Sequence, residues 1–225
     1  MSTQTAPALY AVEIEEIETE EPVADTYPLY LPKRFEAFTM RRAEGRFTAE
    51  DFAVCAAENP DLRLEMTCEG EMIIMMPVGP IGSNRNLNLT VEFGVWARQD
   101  PTGIGFDATA GFKLPNGAQR SPDASWIRRE RWDALTQEEK ETFSPLCPDF
   151  VVELRSRSDR LKKLQDKMDE YLANGAQLGW LIDPIKKRVH IYRPDTPVEV
   201  LDNPVELSGE PLLKDFTLKL AGILD

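Results

Sequence analysis

An α/β domain with a mixed sheet is what this chain predicts, on three grounds. Apolar residues recur at helical spacing in some segments and alternate in others. The two kinds of segment follow one another as helix, hairpin, helix, strands, helix, strands, an order that layers helices on a sheet containing both parallel and antiparallel pairs. With 225 residues, 42% of them hydrophobic, the chain has enough apolar surface to bury a sizeable core. No internal repeat is apparent.

Residues 1–32 differ in composition from the rest of the chain. They hold seven acidic side chains, six of them between Glu13 and Glu21, and no Lys or Arg. Such a stretch reads as a solvated tail, with the body beginning at residue 33. Val12, Ile14 and Ile17 leave open a docked edge strand, and the charge leaves open a mimic that competes for a basic cleft.

In the body, Thr48-Ala49-Glu50-Asp51 ahead of Phe52, Val54 and Cys55 predicts a capped helix ending near Asn59-Pro60. Leu62–Met66 and Met72–Met76 predict a hairpin around Glu69-Gly70. From Ile81 to Arg98, Leu87, Val91, Val95 and Trp96 form an apolar stripe, broadened by Leu89 and Phe93 and stopped by Asp100-Pro101-Thr102-Gly103. Strands are expected over Ile104–Leu114, Pro122–Ile127 and Asp149–Arg155. The clearest helix spans Ser158–Gly175: Ser158 or Asp159 caps it, Leu161, Leu164, Met168, Tyr171 and Leu172 form its stripe, and Asn174-Gly175 ends it. Leu178–Ile182 and Arg188–Tyr192 form a strand pair across Asp183-Pro184, and prolines at 194, 197, 204 and 211 punctuate shorter elements.

Composition removes several functions. The 26 Lys and Arg against 39 Asp and Glu give a net charge of −13, which argues against coating nucleic acid by bulk charge but leaves selective action on DNA open. No apolar run is long enough to span a bilayer and no secretory pattern opens the chain, so no membrane partner is expected and the cytoplasm is the expected compartment. Cys55, Cys68 and Cys147 are too few and too scattered for a disulfide framework or a zinc half-site. His190, the single histidine, lies in an alternating segment and reads as a structural residue; chemistry needing two imidazoles is excluded.

Two carboxylates remain as candidates for chemistry. Alternation in the strand around Glu153 puts it on one face with Val151 and Arg155, while Phe150, Val152 and Leu154 face the other way. If the strand holding Asp123 lies alongside, the two carboxylates can share a divalent ion, which takes hard oxygen ligands. Lys167 falls about 80° from the middle of its helix's apolar stripe, at the border of buried and wet, where it can lean over the sheet. Arg128, Arg129 and Arg131 after the first motif, and six cations against Asp159 and Asp166 between Arg155 and Lys167, leave open either a positive face around this site or a mixed solvated helix surface.

The ordered pattern Pro148-Asp149-Phe150-Val151-Val152-Glu153-Leu154-Arg155-Ser156-Arg157-Ser158-Asp159, then Lys167, Tyr171, Gly175 and Trp180-Leu181-Ile182-Asp183-Pro184, resembles the Uma-type endonuclease family of the PD-(D/E)XK, restriction-endonuclease-like superfamily. Arg63-Leu64-Glu65 before Glu69-Gly70-Glu71 resembles that family's opening hairpin, and Ser121-Pro122-Asp123 its first metal-binding strand. The likeness runs from about Thr48 to Pro194. It implies a restriction-endonuclease-like core and a metal-dependent endonuclease acting on DNA. Asp123 and Glu153, with the Leu154 carbonyl, would hold Mg²⁺ or Mn²⁺. Lys167 would act on the phosphate or the water, Glu65 matches an early glutamate, and Arg155, Gln165 and Tyr171 would assist at the phosphate. A homodimer is implied as well. Two departures stand out: the superfamily's strand lysine is Arg155 here, which stays protonated and cannot act as a base, and the second helix carries Ser83-Asn84-Arg85-Asn86 where members often have a histidine. The first departure and the acidic tail keep a second expectation open, a nuclease fold without catalysis that binds nucleic acid or protein. A small-molecule hydrolase is a third, with no sugar-site pattern behind it.

Overall fold

The computed structural model describes residues 38–41, 45–75 and 77–225. The acidic stretch 1–32, its boundary with the body and Met76 of the hairpin lie outside the described residues. In chain order the elements are β1 (Phe38–Met40), α1 (Ala49–Glu58), β2 (Arg63–Met66), β3 (Met72–Met75), α2 (Pro80–Ala97), β4 (Gly103–Asp107), β5 (Phe112–Lys113), β6 (Gln119–Arg120) and β7 (Ala124–Arg128). Then come α3 (Arg129–Asp133), α4 (Gln137–Glu141), β8 (Phe150–Leu154), α5 (Leu161–Ala173), β9 (Leu178–Asp183), β10 (Arg188–Tyr192), β11 (Glu199–Asp202), β12 (Glu206–Ser208) and β13 (Thr217–Lys219).

The central sheet has six strands in the order β11-β10-β9-β8-β7-β4. It is mixed because β8 and β9 run parallel, joined by the crossover helix α5, while their neighbours run antiparallel. A second sheet, β1-β3-β2-β6-β5, carries the hairpin, and β12 pairs with β13. The architecture is the expected α/β, restriction-endonuclease-like core.

Local chemistry sets the helix ends. The Thr48 side chain accepts from the Asp51 N–H while Asp51 reaches back to the Thr48 N–H, a closed capping box at α1. α5 ends at Asn174, and Gly175 adopts the left-handed φ of 110° that lets the chain turn into β9. Its start departs from expectation. Helix geometry begins at Leu161, with Arg160 at the cap position and no side-chain cap. Asp159 is drawn into the preceding loop, where its carboxylate accepts from the Ser156 N–H at 2.7 Å.

Two further expectations are corrected. Ile104–Leu114 is two strands, because Asp107 accepts from Thr109 through both N–H and hydroxyl, turning the chain so that β4 ends one sheet and β5 joins the other. In α2 the inward residues are Leu89, Phe93, Trp96 and Ala97, whereas Leu87, Val91 and Val95 are 58%, 52% and 57% exposed. The rings decide this rotation. Phe93 and Trp96 meet Phe216 at centroid distances of 5.7 and 4.8 Å, and an aromatic ring buries roughly 150–250 Å², more than a valine offers.

The core has two sides. Phe150, Val152 and Leu154 of β8 pack with Trp180, Phe93, Trp126 and Phe216 under α2 and the C-terminal segment. Val151 faces the other side, with Met168 and Tyr171 of α5 and Leu181. His190 lies on β10, 8% exposed, between Leu181 and Val200. Burial lowers its pKa, and it lies apart from the cavity into which Glu153 opens. All three cysteines are free. Among the described residues no helix is long and apolar enough to cross a membrane.

Candidate active site

At the C-terminal end of β8 the side chain facing α5 is Glu153, where the alternation that puts Val151 into the core substitutes a carboxylate. Main-chain pairing brings Asp123 beside it: the Asp123 N–H donates to the Val152 carbonyl at 2.9 Å, and the Leu154 N–H donates to Asp123 Oδ2 at 2.8 Å. The crossover helix delivers Lys167, whose Nζ lies 2.7 Å from Glu153 Oε1. The other sheet delivers Glu65, on β2, with Oε1 2.8 Å from the same amine. Carboxylates from two distant points of the sequence thus hold one ammonium group, with Asp123 in the same cavity.

Each is held from behind. Glu65 Oε1 accepts the Ser121 N–H at 2.9 Å and its Oε2 lies 3.3 Å from Arg120 Nη1. Arg120 in turn pairs with Glu170 at 2.6 Å, and Asn116 donates to Glu170 at 3.0 Å. The Tyr171 hydroxyl donates to Glu153 Oε1 at 3.1 Å from the core side.

The charges do not balance. Four carboxylates, those of Glu65, Asp123, Glu153 and Glu170, meet three cations, Lys167, Arg120 and Arg63, the last acting on Asp123. Burial pushes the Glu153 carboxyl up to about 7, against the pull of Lys167, and the charges of Asp123 and Glu65 add to the rise. Burial likewise raises Asp123. Glu65 moves the other way: burial would raise it, but Lys167 and Arg120 together hold it below the usual carboxylate range. Lys167 would lose its proton more easily on burial alone, yet Glu153 and Glu65 push it up to about 12, so it stays an ammonium group. Hard oxygen donors short of positive charge fit a divalent cation, and Asp123 with Glu153 is the pair left under-compensated. Among the described residues no three His, Cys, Asp or Glu side chains form a ready-made metal cage, because the Lys167 amine stands between Glu65 and Glu153.

Glu65, Asp123, Glu153, Leu154 and Lys167 all line one cavity of about 870 Å³. Three residues expected to assist at the phosphate do not. Arg155 is turned to Asp183, 2.8 Å away and fully buried, and also donates to the Asp159 carbonyl. Tyr171 is fully buried behind Glu153. Gln165 lies on α5 outside the lining. The expected positive face is also reduced, because several of its cations are paired with acids: Lys162 with Asp166, Arg128 and Arg131 with Asp149, and Arg155 with Asp183, while Arg129 donates to the Gly103 carbonyl. Sequence reasoning missed Arg120 and Glu170. Both had a local signal, since Arg120 directly precedes Ser121-Pro122-Asp123 and Glu170 follows Lys167 by three residues, on the same helix face.

A profile of the Uma2 family, described as "Putative restriction endonuclease", matches residues 49–221. Among solved structures, a crystal structure described as "a putative nuclease belonging to DUF820 from Anabaena variabilis ATCC 29413" superposes with a TM-score of 0.59 at 23% identity, covering 72% of this chain and 89% of that one. That likeness bears on the fold. No protein of curated function matches the chain. The family match takes in Glu65, Asp123, Glu153 and Lys167 and most of the chain, and the protein therefore belongs to the Uma2 nuclease family.

Proposed function

We propose that the protein is an endonuclease that hydrolyses phosphodiester bonds of DNA with the help of a divalent metal ion, Mg²⁺ or Mn²⁺. One observation carries this: half-buried Asp123 shares one cavity with buried Glu153 and Glu65, which both hold the single amine of Lys167. Asp123 and Glu153, with the Leu154 carbonyl, are assigned to the ion. Such an ion acidifies water and offsets the negative charge that develops on a scissile phosphate.

The chain's own groups supply the rest. Lys167, kept protonated by its two carboxylates, presents a fixed positive charge to a phosphoryl oxygen and does not act as a base. Glu65, anchored by the Ser121 N–H and Arg120, sets where that amine stands. The Leu154 N–H aims one oxygen of Asp123, and the Tyr171 hydroxyl fixes one oxygen of Glu153. These contacts hold the donors before substrate arrives, so little reorganisation is needed at the moment of reaction.

A cytoplasmic setting and a homodimer complete the proposal, the latter read out by light scattering of the purified protein. The test of the chemistry is incubation with plasmid and single-stranded DNA in Mg²⁺, in Mn²⁺ and in chelator. Cutting that chelator abolishes is the expected result. A correctly folded protein that cuts nothing in either ion is instead a nuclease fold that has lost catalysis.

A further inference from the structure

The cavity has a second wall that hydrolysis does not explain. Met72 and Ile74 of β3 pack into the core under α1, so strand alternation turns Ile73 and Met75 the other way, into the cavity. Register fixes their positions: Ile73 pairs with Glu65, and Met75 with Arg63. Val78 lines the same cavity, as does Leu164, one helical turn before Lys167. Aliphatic surface therefore adjoins the carboxylate cluster. An intact duplex presents sugar and phosphate on its outside and keeps its bases stacked within, so it has little to place against such a wall. An unpaired nucleotide carries a base with two apolar faces next to its phosphate.

Charge selects in the same direction. Nine carboxylates and four cationic side chains line the cavity; two of the nine, Glu71 and Asp166, are paired with Arg41 and Lys162 outside it, which still leaves the lining acidic. A duplex brings one negative charge per ~1.7 Å of axis, against ~3.4 Å for each strand, so an acidic lining opposes the duplex more strongly. Of the nearby cations, Arg128 and Arg131 are committed to Asp149 and Arg155 to Asp183, acids outside the cavity lining. Size agrees as well: about 870 Å³ lies within the ~300–1,000 Å³ of small-ligand sites.

We infer that the cavity receives an unpaired nucleotide, base against Ile73, Met75, Val78 and Leu164 and phosphate toward Lys167, so that the substrate is single-stranded or locally unpaired DNA. This rests on the nuclease reading for its chemistry but not for its binding preference, and the two are tested apart. Fluorescence anisotropy in Ca²⁺, a hard cation for the same oxygen donors, compares a labelled single-stranded 20-mer with the same sequence as a blunt duplex. The expected result is at least tenfold tighter binding of the single strand, and equal or tighter duplex binding overturns the inference. In the Ile73→Ser/Met75→Ser double variant, single-strand affinity is expected to fall about tenfold with duplex affinity unchanged. An equal fall for both removes the wall from base recognition and overturns it too. Cutting in Mg²⁺ is scored separately: a single-strand preference without cutting keeps this inference and removes the hydrolytic one.

Discussion

The two ends of β8 bury a carboxylate each and solve the problem in opposite ways. Asp149, just before the strand, is 3% exposed and has more partners than it needs: Arg131 at 2.9 Å, Arg128 at 3.4 Å and the Arg128 N–H at 3.0 Å. Its own N–H donates to the Trp126 carbonyl, and its carbonyl accepts from Gln177 and Leu178, so it ties the starts of β8 and β9 to β7. Glu153, at the other end and 5% exposed, shares one amine with Glu65 and stands beside Asp123. A buried carboxylate with two cations of its own is complete and serves the fold. One that divides a single cation with other acids holds an electrostatic deficit that only an added positive charge can fill.

The sharpest way to break that contrast is to delete one acid at each end. Glu153→Ala, and equally Asp123→Ala, is expected to lower DNA cutting by about a thousandfold or more while circular dichroism and melting temperature in metal-free buffer hold or improve. Asp149→Ala is expected to act on stability instead, costing about 3 kcal/mol in urea denaturation because two arginines and a main-chain N–H lose their partner. If Asp149→Ala unfolds like wild type, the strand's two ends are not different in kind.

A pH series sharpens the same point with a smaller effect. The Glu153 carboxyl titrates near 7 in the fold against 4.5 for an unburied glutamate, so its contribution to stability is present below pH 4.5 and is lost as pH climbs through 7. Metal-free wild type should thus lose on the order of 2 kcal/mol relative to Glu153→Gln between pH 5 and 8, measured by denaturant titration. Taking the difference between the two proteins matters because buried His190, with its lowered pKa, pushes the other way across part of that range. The smallest effect belongs to His190→Gln: the residue sits on β10 away from the cavity, and the rate of cutting should not change.

Much of the site was legible because its signals are local. Alternation through Phe150–Leu154 put Glu153 on the face of Val151, away from Phe150, Val152 and Leu154, and the stripe of its helix put Lys167 at its border; only the structure shows that this face meets α5. The likeness to the family named Glu65, which no periodicity singles out. The orientation of α2 was not legible, since Leu87, Val91 and Val95 make as regular a stripe as Leu89, Phe93 and Trp96, and only the rings of Phe150, Trp126 and Phe216, which meet Phe93 and Trp96, choose between them. The basic face failed for a related reason. Counting cations along the chain says nothing of the acids they meet, and Asp149, Asp166 and Asp183 pair with four of them, Arg128, Arg131, Lys162 and Arg155.

What the amino-acid order determined by itself is the period of each segment, the caps and turns at its ends, and hence an α/β domain with one carboxylate strand and one lysine-bearing helix; these depend on neighbours within a few residues. What only the tertiary structure decided is which charges share space: that Lys167 answers to Glu65 as well as Glu153, that Arg120 and Glu170 stand behind them, and that Arg155 turns to Asp183. Coulomb interactions depend on distance and burial rather than on position along the chain, so their balance exists only once the sheets and α5 have come together.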